Sequence, residues 1–263
     1  MPDFTELHLH LLPGVDDGPQ SDEESLDLAR QLVASSVTRC VVTPHFNAWN
    51  PNLLANLDEV KAAVTELNTL LADNAINLEV HPGAEHFLTP ELIDLVQKGA
   101  APLLGPGPYI LVEFPFDNRP LYADDLLYQL GLLGLIPVLA HPARYAWVQT
   151  NPDAVEKLVD GGVHLQLTAG SLSGQYGPRV KRTAEHILHR GWYSLPGSDI
   201  HHPGQPRSLA DMYETVMSLG DEATAQLLLV ENPRRVLTGE PLLPVPPIEF
   251  NDPPKRRFRL FGE

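Results

Sequence analysis

The chain has 263 residues, 43% of them hydrophobic, and its 34 acidic residues against 18 basic ones give a formal net charge of −16 at pH 7. This acidity argues against nucleic acid or anionic lipid as a general partner, because phosphate groups would repel such a surface. The single cysteine excludes a disulfide framework and a cysteine-rich zinc site. No apolar run is long enough to span a bilayer, and the acidic start MPDFTELHLH does not resemble a signal peptide. We therefore expect a cytoplasmic protein.

Seven runs with the character of β-strands follow one another along the chain, and each has a polar residue at or next to its end. They cover residues 4–10, 37–45, 76–85, 108–114, 135–141, 162–168 and 192–201. Helical patterns separate them, beginning with a capping box from Ser21 to Glu24 and leucine and valine at helical spacing over 53–71. Further helices are predicted over 90–99, 121–134, 152–161, 178–190 and 208–219.

This alternation predicts an α/β fold, which could be an open doubly wound sheet or a closed barrel. The candidate site residues come from at least six strand ends, and a barrel gathers that many carboxyl ends around one opening. We therefore predict a single-domain (β/α) barrel of seven strands over residues 1–240. Residues 241–263 are rich in proline and end in a basic run, KRRFR, and they are predicted to form an extended tail. This run could hold the protein near an anionic membrane surface or an acidic partner.

Side chains that bind metals recur at the strand ends. His8 and His10 are two residues apart, which points both imidazoles to one face of a strand, and Asp199 and His201 repeat this spacing. The other candidates are His45, Glu85, Glu113, His141 and one of the adjacent pair Asp16 and Asp17. Five histidines with four carboxylates suit manganese, iron or zinc, and they are too many for one ion. We therefore predict two or three divalent ions that share bridging carboxylates.

Each candidate taken alone also has a structural explanation. Glu113 could be a paired core carboxylate, and His141 could be a core histidine with its hydrogen bonds satisfied. Because a buried unpaired charge costs several kcal/mol, the recurrence of such residues at six strand ends favours shared cations.

Two arginines follow the candidate ligands. Arg144 lies shortly after His141, and Arg207 lies shortly after His201. A guanidinium at either position could bind phosphate oxygens in bidentate fashion. Metal ions and arginines together would make a cationic pocket in an acidic protein, which suits a phosphate monoester. The aromatic residues that follow strand ends could line its opening or pack in the core; they are Phe46, Trp49 and Phe116.

These motifs, in this order, resemble the polymerase-and-histidinol-phosphatase (PHP) family, and more specifically the bacterial tyrosine-protein phosphatases of capsule and exopolysaccharide loci (the CpsB/CapC type). The resemblance extends over the chain up to residue 237. It is carried by HLHLLPGVDDGPQSDEESL at 8–26, VVTPH at 41–45, GAE at 83–85, LVEFP at 111–115, IPVLAHPARY at 136–145, LQLTAGSLSGQYG at 165–177, GSDIHH at 197–202 and ENPRRVL at 231–237.

The resemblance implies a distorted (β/α)7 barrel with a trinuclear site. We expect manganese as the first candidate for these ions, with iron, zinc or cobalt as others. It implies three ligand sets: His8, His10, Glu85 and Asp199; then Glu85, Glu113 and His141; then Asp17, His45 and His201. It thus selects Asp17 over Asp16. Arg144 and Arg207 would bind the phosphate, although Arg207 stands one residue further from the SDIH motif than the family pattern leads us to expect.

We therefore predict a metal-dependent protein-tyrosine phosphatase that acts on the phosphorylated tail of a bacterial tyrosine autokinase controlling capsule or exopolysaccharide synthesis, by attack of a metal-bound hydroxide on phosphorus. The cysteine-based mechanism is excluded, because it needs C-x5-R and the sixth residue after Cys40 is Phe46. One alternative is a small-molecule phosphatase of the histidinol-phosphate type. Another is a metal-dependent regulatory module with little turnover, which the retention of every candidate ligand and both arginines argues against.

Overall fold

The computed structural model describes residues 2–46 and 56–248. Its strands are β1 (Phe4–Glu6), β2 (Val37–Val42), β3 (His45–Phe46), β4 (Glu79–Pro82), β5 (Glu85–Phe87), β6 (Tyr109–Glu113), β7 (Ile136–Leu139), β8 (His164–Thr168) and β9 (Tyr193–Gly197). Its α-helices are α1 (Asp22–Ala34), α2 (Leu57–Asp73), α3 (Pro90–Gln97), α4 (Ala123–Leu132), α5 (Ala146–Thr150), α6 (Glu156–Asp160), α7 (Ala169–Ser173), α8 (Pro178–His189), α9 (Leu209–Leu219), α10 (Glu222–Gln226) and α11 (Asn232–Thr238). Two 3-10 turns (Pro142–Arg144 and Pro152–Val155) and a π-helical turn (Leu227–Glu231) complete the description.

All strand pairs are parallel, in the orders β1-β2-β4 and β3-β5-β6-β7-β8-β9. Only Thr43 and Pro44 separate β2 from β3, and only Gly83 and Ala84 separate β4 from β5, so each pair continues one strand path. The described chain therefore has seven strand paths, one for each predicted run.

The first and last strand paths also meet. Leu9, just after β1, forms a parallel bridge with Ile200, just after β9. The Asp199 N–H donates to the His8 carbonyl at 2.8 Å, and the His10 N–H donates to the Ile200 carbonyl at 3.0 Å. The seven-strand α/β architecture agrees with the predicted distorted barrel, and it brings the carboxyl ends of the strands to one opening.

Alternation along the strands separates two apolar layers. In β6, Ile110 and Val112 belong to the large cluster between strands and helices, whereas Tyr109 and Leu111 belong to a smaller cluster. Glu113 follows Leu111 on the same face, since side chains two residues apart in a strand point the same way. The smaller cluster therefore packs beneath the polar end of the barrel.

The predicted helices form with some changes at their ends. Ser21 caps α1 by accepting the Glu24 N–H at 3.3 Å, as the capping box predicts. The single helix expected over 152–161 is instead a 3-10 turn followed by α6. Short helices α5, α7, α10 and α11 were not predicted, because each has seven residues or fewer and leaves little periodic pattern.

The start of the predicted tail packs against the amino end of the barrel. The Tyr109 hydroxyl donates to the Glu240 carbonyl and accepts the Leu242 N–H, at 2.9 and 3.1 Å. The buried Asn232 side chain bonds both the N–H and the carbonyl of Leu243. Val245 and Ile248 are buried in the large cluster. The basic run of the tail lies outside the described residues. No helix within them has the length and hydropathy to cross a membrane.

Candidate metal centre

Three buried side chains converge at the carboxyl end of the barrel. His8 and His10 lie just after β1, and Glu85 begins β5; at most 1% of each residue is exposed. Glu85 Oε2 is 3.3 Å from His8 Nε2 and 3.7 Å from His10 Nε2, yet none of these three atoms has a hydrogen-bond partner among the described residues. Ligands held about 2.1 Å from one ion stand about 3.0–3.4 Å apart. The 3.3 Å separation lies in this range and the 3.7 Å separation lies 0.3 Å beyond it, so a small movement would let the three unpartnered atoms share a divalent cation.

Glu85 also joins a second group with Glu113. The Nδ1 atom of His45 lies 3.1 Å from Glu85 Oε2 and 3.4 Å from Glu113 Oε1. His141 Nε2 is 2.8 Å from Glu85 Oε1 and 3.8 Å from Glu113 Oε2. Glu85 Oε2 thus faces the first group and His45, while Oε1 faces His141, so this carboxylate could bridge two ions.

A third group forms around Asp17. Asp17 Oδ1 is 3.4 Å from His45 Nε2 and 3.3 Å from His201 Nε2. These three residues and His10 each offer a donor atom within 4.8 Å of one another. His45 and His10 therefore belong to more than one group, which differs from the disjoint histidine sets that the family resemblance implied.

Asp199 connects the centre to the arginines. Its Oδ1 lies 3.6 Å from His8 Nε2 and 3.9 Å from His10 Nε2. Its Oδ2 accepts hydrogen bonds from Arg144 at 2.9 Å and from the Tyr176 hydroxyl at 3.1 Å. Asp199 has a φ of 53°, a left-handed conformation that is costly for a residue with a side chain.

Two further polar side chains orient the first histidines. Asp16 Oδ2 is 2.6 Å from His10 Nδ1, and Gln166 Oε1 is 2.6 Å from His8 Nδ1. An acceptor at Nδ1 places the ring proton there and leaves Nε2 as the free electron-pair donor toward the centre. Asp16 therefore acts behind His10, while Asp17 faces the centre. Sequence reasoning missed Gln166, although a glutamine within an apolar strand was a usable signal.

The ionisable side chains of the centre shift one another's pKa values. Burial opposes the charged form of His8, but the Glu85 carboxylate raises the pKa of this histidine to about 9. Burial also opposes ionisation of Glu85, but the histidines around it hold its pKa well below the usual range. Burial and the neighbouring charge of Glu85 raise the pKa of Glu113. Protons on histidine thus balance these carboxylates without metal, and binding of cations would release them.

Both predicted arginines reach the same cavity, which has a volume of about 320 Å³. Arg144 Nη1 contacts the Asp199 carboxylate, and Arg207 Nη1 donates to the Asp199 backbone carbonyl. The longer spacing before Arg207 therefore does not keep it out of the cavity. Phe116 lies at the opening, with 40% of its surface exposed.

Cys40 and Phe46, which the sequence analysis also named, do not line the cavity. Cys40 is fully buried in the large cluster, and burial raises the pKa of its thiol, as expected for an inert cysteine. Phe46 is buried against His86 and does not line the opening. His86 donates from Nε2 to the Pro102 carbonyl at 2.8 Å, on the opposite face of β5 from Glu85. Trp49 lies outside the described residues.

Comparison with known families identifies the chain. The profile of the capsular polysaccharide synthesis family CpsB/CapC matches residues 4–238. The chain belongs to the CpsB/CapC family. This confirms the family that the sequence motifs indicated. The matched region ends at Thr238, the last residue of α11.

Proteins named as tyrosine phosphatases resemble the chain over most of its length. The tyrosine-protein phosphatase YwqE of Bacillus subtilis is 34% identical over 98% of both chains. The tyrosine-protein phosphatase CpsB of Streptococcus pneumoniae is 27% identical over 89% of this chain and 98% of its own. A chain from the crystal structures of these two proteins, described as metal-dependent tyrosine phosphatases, superimposes with a TM-score of 0.86 at 30% identity, over 93% of this chain and 99% of that one.

Proposed function

We propose that this member of the CpsB/CapC family is a metal-dependent protein-tyrosine phosphatase. The observation that carries the proposal is the unpartnered, fully buried set of His8 Nε2, His10 Nε2 and Glu85 Oε2, which shares one end of the barrel with Arg144 and Arg207. A cation site beside two guanidinium groups has the chemistry that a phosphate monoester requires. The names of the relatives support tyrosine phosphate as the substrate.

The proposed ligands are the nine residues predicted from the sequence. They are His8, His10, Asp17, His45, Glu85, Glu113, His141, Asp199 and His201. Their number and the bridging position of Glu85 support two to three divalent ions, with manganese as the first candidate and iron, zinc or cobalt as others. When bound, these ions would lower the pKa of a coordinated water and polarise the phosphoryl oxygens.

The two arginines would bind the phosphoryl group directly. Arg144 and Arg207 approach the cavity from different segments, so their guanidinium groups can bind different equatorial oxygens of one phosphoryl group. Charge on these oxygens is stabilised by donors that are already in position. Asp199 holds Arg144 in place through its Oδ2 atom.

The wall of the cavity supports an aromatic substrate. Phe116 lies at the opening, and the half-buried Tyr176 ring forms part of the lining. A phenyl ring carried by a flexible peptide can lie against such a surface. We propose the phosphotyrosine tail of a bacterial tyrosine autokinase of a capsule or exopolysaccharide locus as the physiological substrate.

The decisive experiment compares substrates on one preparation. Phosphotyrosyl peptide, phosphoseryl peptide and histidinol phosphate are hydrolysed in parallel, and metal content is measured on the same protein. We expect the highest kcat/KM for phosphotyrosyl peptide, with more than one metal equivalent per chain. A higher kcat/KM for histidinol phosphate would instead favour the small-molecule phosphatase, and negligible turnover of all three would favour the regulatory module.

We also propose that the protein works in the cytoplasm and that its basic tail associates with anionic membrane surfaces. Lys255, Arg256, Arg257 and Arg259 contrast with the net charge of −16. Each basic residue near such a surface contributes about 1 kcal/mol. Co-sedimentation with phosphatidylserine vesicles should be stronger for the full chain than for a chain ending at residue 248. Equal sedimentation would contradict the role of the tail.

A further inference from the structure

Two arginines and two aromatic rings lie close together in the lining of the cavity. The Arg144 guanidinium carbon lies 4.4 Å from the ring centroid of Phe116 and 4.4 Å from that of Tyr176. The Arg207 guanidinium carbon lies 5.1 Å from the same Tyr176 ring. Tyr176 is therefore the one member of this group that contacts both arginines.

The local chain is shaped to receive the Tyr176 ring. Gly174 and Gly177 on either side of it have left-handed φ values of 88° and 91°. A Cβ atom added at Gly170 would lie 2.7 Å from the Tyr176 ring, so a larger residue there would displace it. The neighbouring Gln175 accepts the Arg207 Nε–H at 3.2 Å. The turn over residues 174–177 thus contacts Arg207 through the Gln175 hydrogen bond, and it contacts both arginines through the Tyr176 ring.

The Tyr176 hydroxyl has a separate partner. It donates to Asp199 Oδ2 at 3.1 Å, while Asp199 Oδ1 faces His8 and His10. The ring thus contacts the arginines, and the hydroxyl contacts a proposed metal ligand. The two functions can be separated by substitution.

We propose that Tyr176 is a positioning residue that sets the spacing of the two arginines and so prepares them to bind one phosphoryl group. The inference rests on the phosphate site of the proposed function. Two guanidinium cations beside one another repel, and an aromatic ring in contact with both offers them negative potential. Arginines held by this shared contact keep their N–H donors in place for a phosphoryl group.

Binding of inorganic phosphate to protein saturated with Mn²⁺, measured by calorimetry, tests the role of the ring. We expect Tyr176→Leu to weaken phosphate binding by roughly tenfold, because it removes the aromatic face from both arginines. Tyr176→Phe should stay within about twofold of the wild type, since it keeps the ring. Trp192→Leu is the matched control, because Trp192 stacks on Arg190 at 4.4 Å away from the cavity and should leave phosphate binding unchanged.

A second variant covers the case in which Tyr176→Leu destabilises the fold. Gly170→Ala keeps the tyrosine but displaces its ring, so phosphate binding should again fall several-fold. Titration of metal-free protein with Mn²⁺ tests the role of the Tyr176 hydroxyl. Tyr176→Phe should weaken Mn²⁺ binding by roughly tenfold, because loss of a group that hydrogen-bonds to a metal ligand typically lowers metal affinity by that factor.

The outcomes separate this inference from the proposed function. If Tyr176→Leu and Gly170→Ala bind phosphate as tightly as Trp192→Leu does, or if Tyr176→Phe loses as much phosphate affinity as Tyr176→Leu, the positioning role is wrong. Either result can occur in a protein that hydrolyses phosphotyrosine. Conversely, ring-dependent phosphate binding without hydrolysis of any aryl phosphate would contradict the proposed function and leave the positioning role intact.

Discussion

The buried Asn232 at the amino end of the barrel and the buried His8, His10 and Glu85 at its carboxyl end differ in whether their polar atoms have partners. At the carboxyl end, the Nε2 atoms of His8 and His10 and one oxygen of Glu85 are buried together without hydrogen-bond partners in the described chain. At the amino end, Asn232 is equally buried, but its amide donates to two backbone carbonyls and accepts the Leu243 N–H. The chain thus satisfies the polar atoms of Asn232 itself, whereas the three atoms at the carboxyl end are available to a ligand.

The contrast extends to the residues that cover each end. Val236 of α11 packs in the small apolar cluster at the amino end, and Leu242 packs against it from the extended segment. The carboxyl end is instead covered by charged side chains around a cavity. Stability and function are therefore expected to respond to substitutions at different ends.

The largest effect is expected from removing the first pair of proposed ligands. The double variant His8→Ala and His10→Ala should lose bound metal and all measurable hydrolysis, because both rings face Glu85. The barrel should remain folded, since the amino end is untouched. Metal analysis, activity and circular dichroism of the same sample check this. More than one metal equivalent with retained activity would contradict the assignment of these ligands.

Arg144→Ala should have the next largest effect. We expect kcat to fall roughly 100-fold for phosphotyrosyl peptide and for a small aryl phosphate alike, because the guanidinium acts on the phosphate that both share. Arg190→Ala is a suitable control, since Arg190 also stacks on an aromatic ring but lies away from the cavity. A loss confined to the peptide would instead assign Arg144 to peptide binding.

Removal of the C-terminal segment that packs at the amino end of the barrel should have the opposite effect: stability should fall and activity should not. A chain ending at residue 240 loses the buried Val245 and Ile248 and the bonds to Asn232, so the free energy of unfolding should fall by about 3 kcal/mol or more. A chain ending at residue 248 should match the wild type. Urea unfolding measures stability, and kcat for an aryl phosphate should stay unchanged where the shorter chain is folded. Equal stability of both truncated chains would show that the packed segment contributes little.

The smallest effect concerns His86, which lies next to Glu85 but on the other face of β5. Burial lowers the pKa of His86 from 6.5 to about 4, so below pH 6.5 the unfolded chain takes up a proton that the folded chain excludes. Its contribution to stability is present above pH 6.5 and is lost as the pH falls toward 4. Between about pH 7.5 and about pH 5.5 the wild type should lose about 1 kcal/mol more than His86→Leu in urea unfolding with chelator present. Parallel pH profiles would contradict this.

Strand positions and the gathering of the candidate ligands at one end of the barrel were the most predictable features. Each of the seven runs contains a strand path, and all nine candidate ligands lie at one end of the barrel. The less predictable features were short or irregular, such as α7, which has five residues, and the breaks that divide two of the strands. Tyr176 was also missed, because its role depends on arginines 32 and 31 residues away in opposite directions along the chain.

The sequence by itself determined the alternation of strands and helices, the polar residue at each strand end and the family, because these depend on the order and spacing of neighbouring residues. Only the tertiary structure decided which atoms meet. It turned Asp17 toward His45 and His201 and placed Asp16 behind His10, although the two aspartates are adjacent. The physical reason is that backbone dihedral angles and the packing of distant segments set side-chain direction, and neither can be read from local spacing.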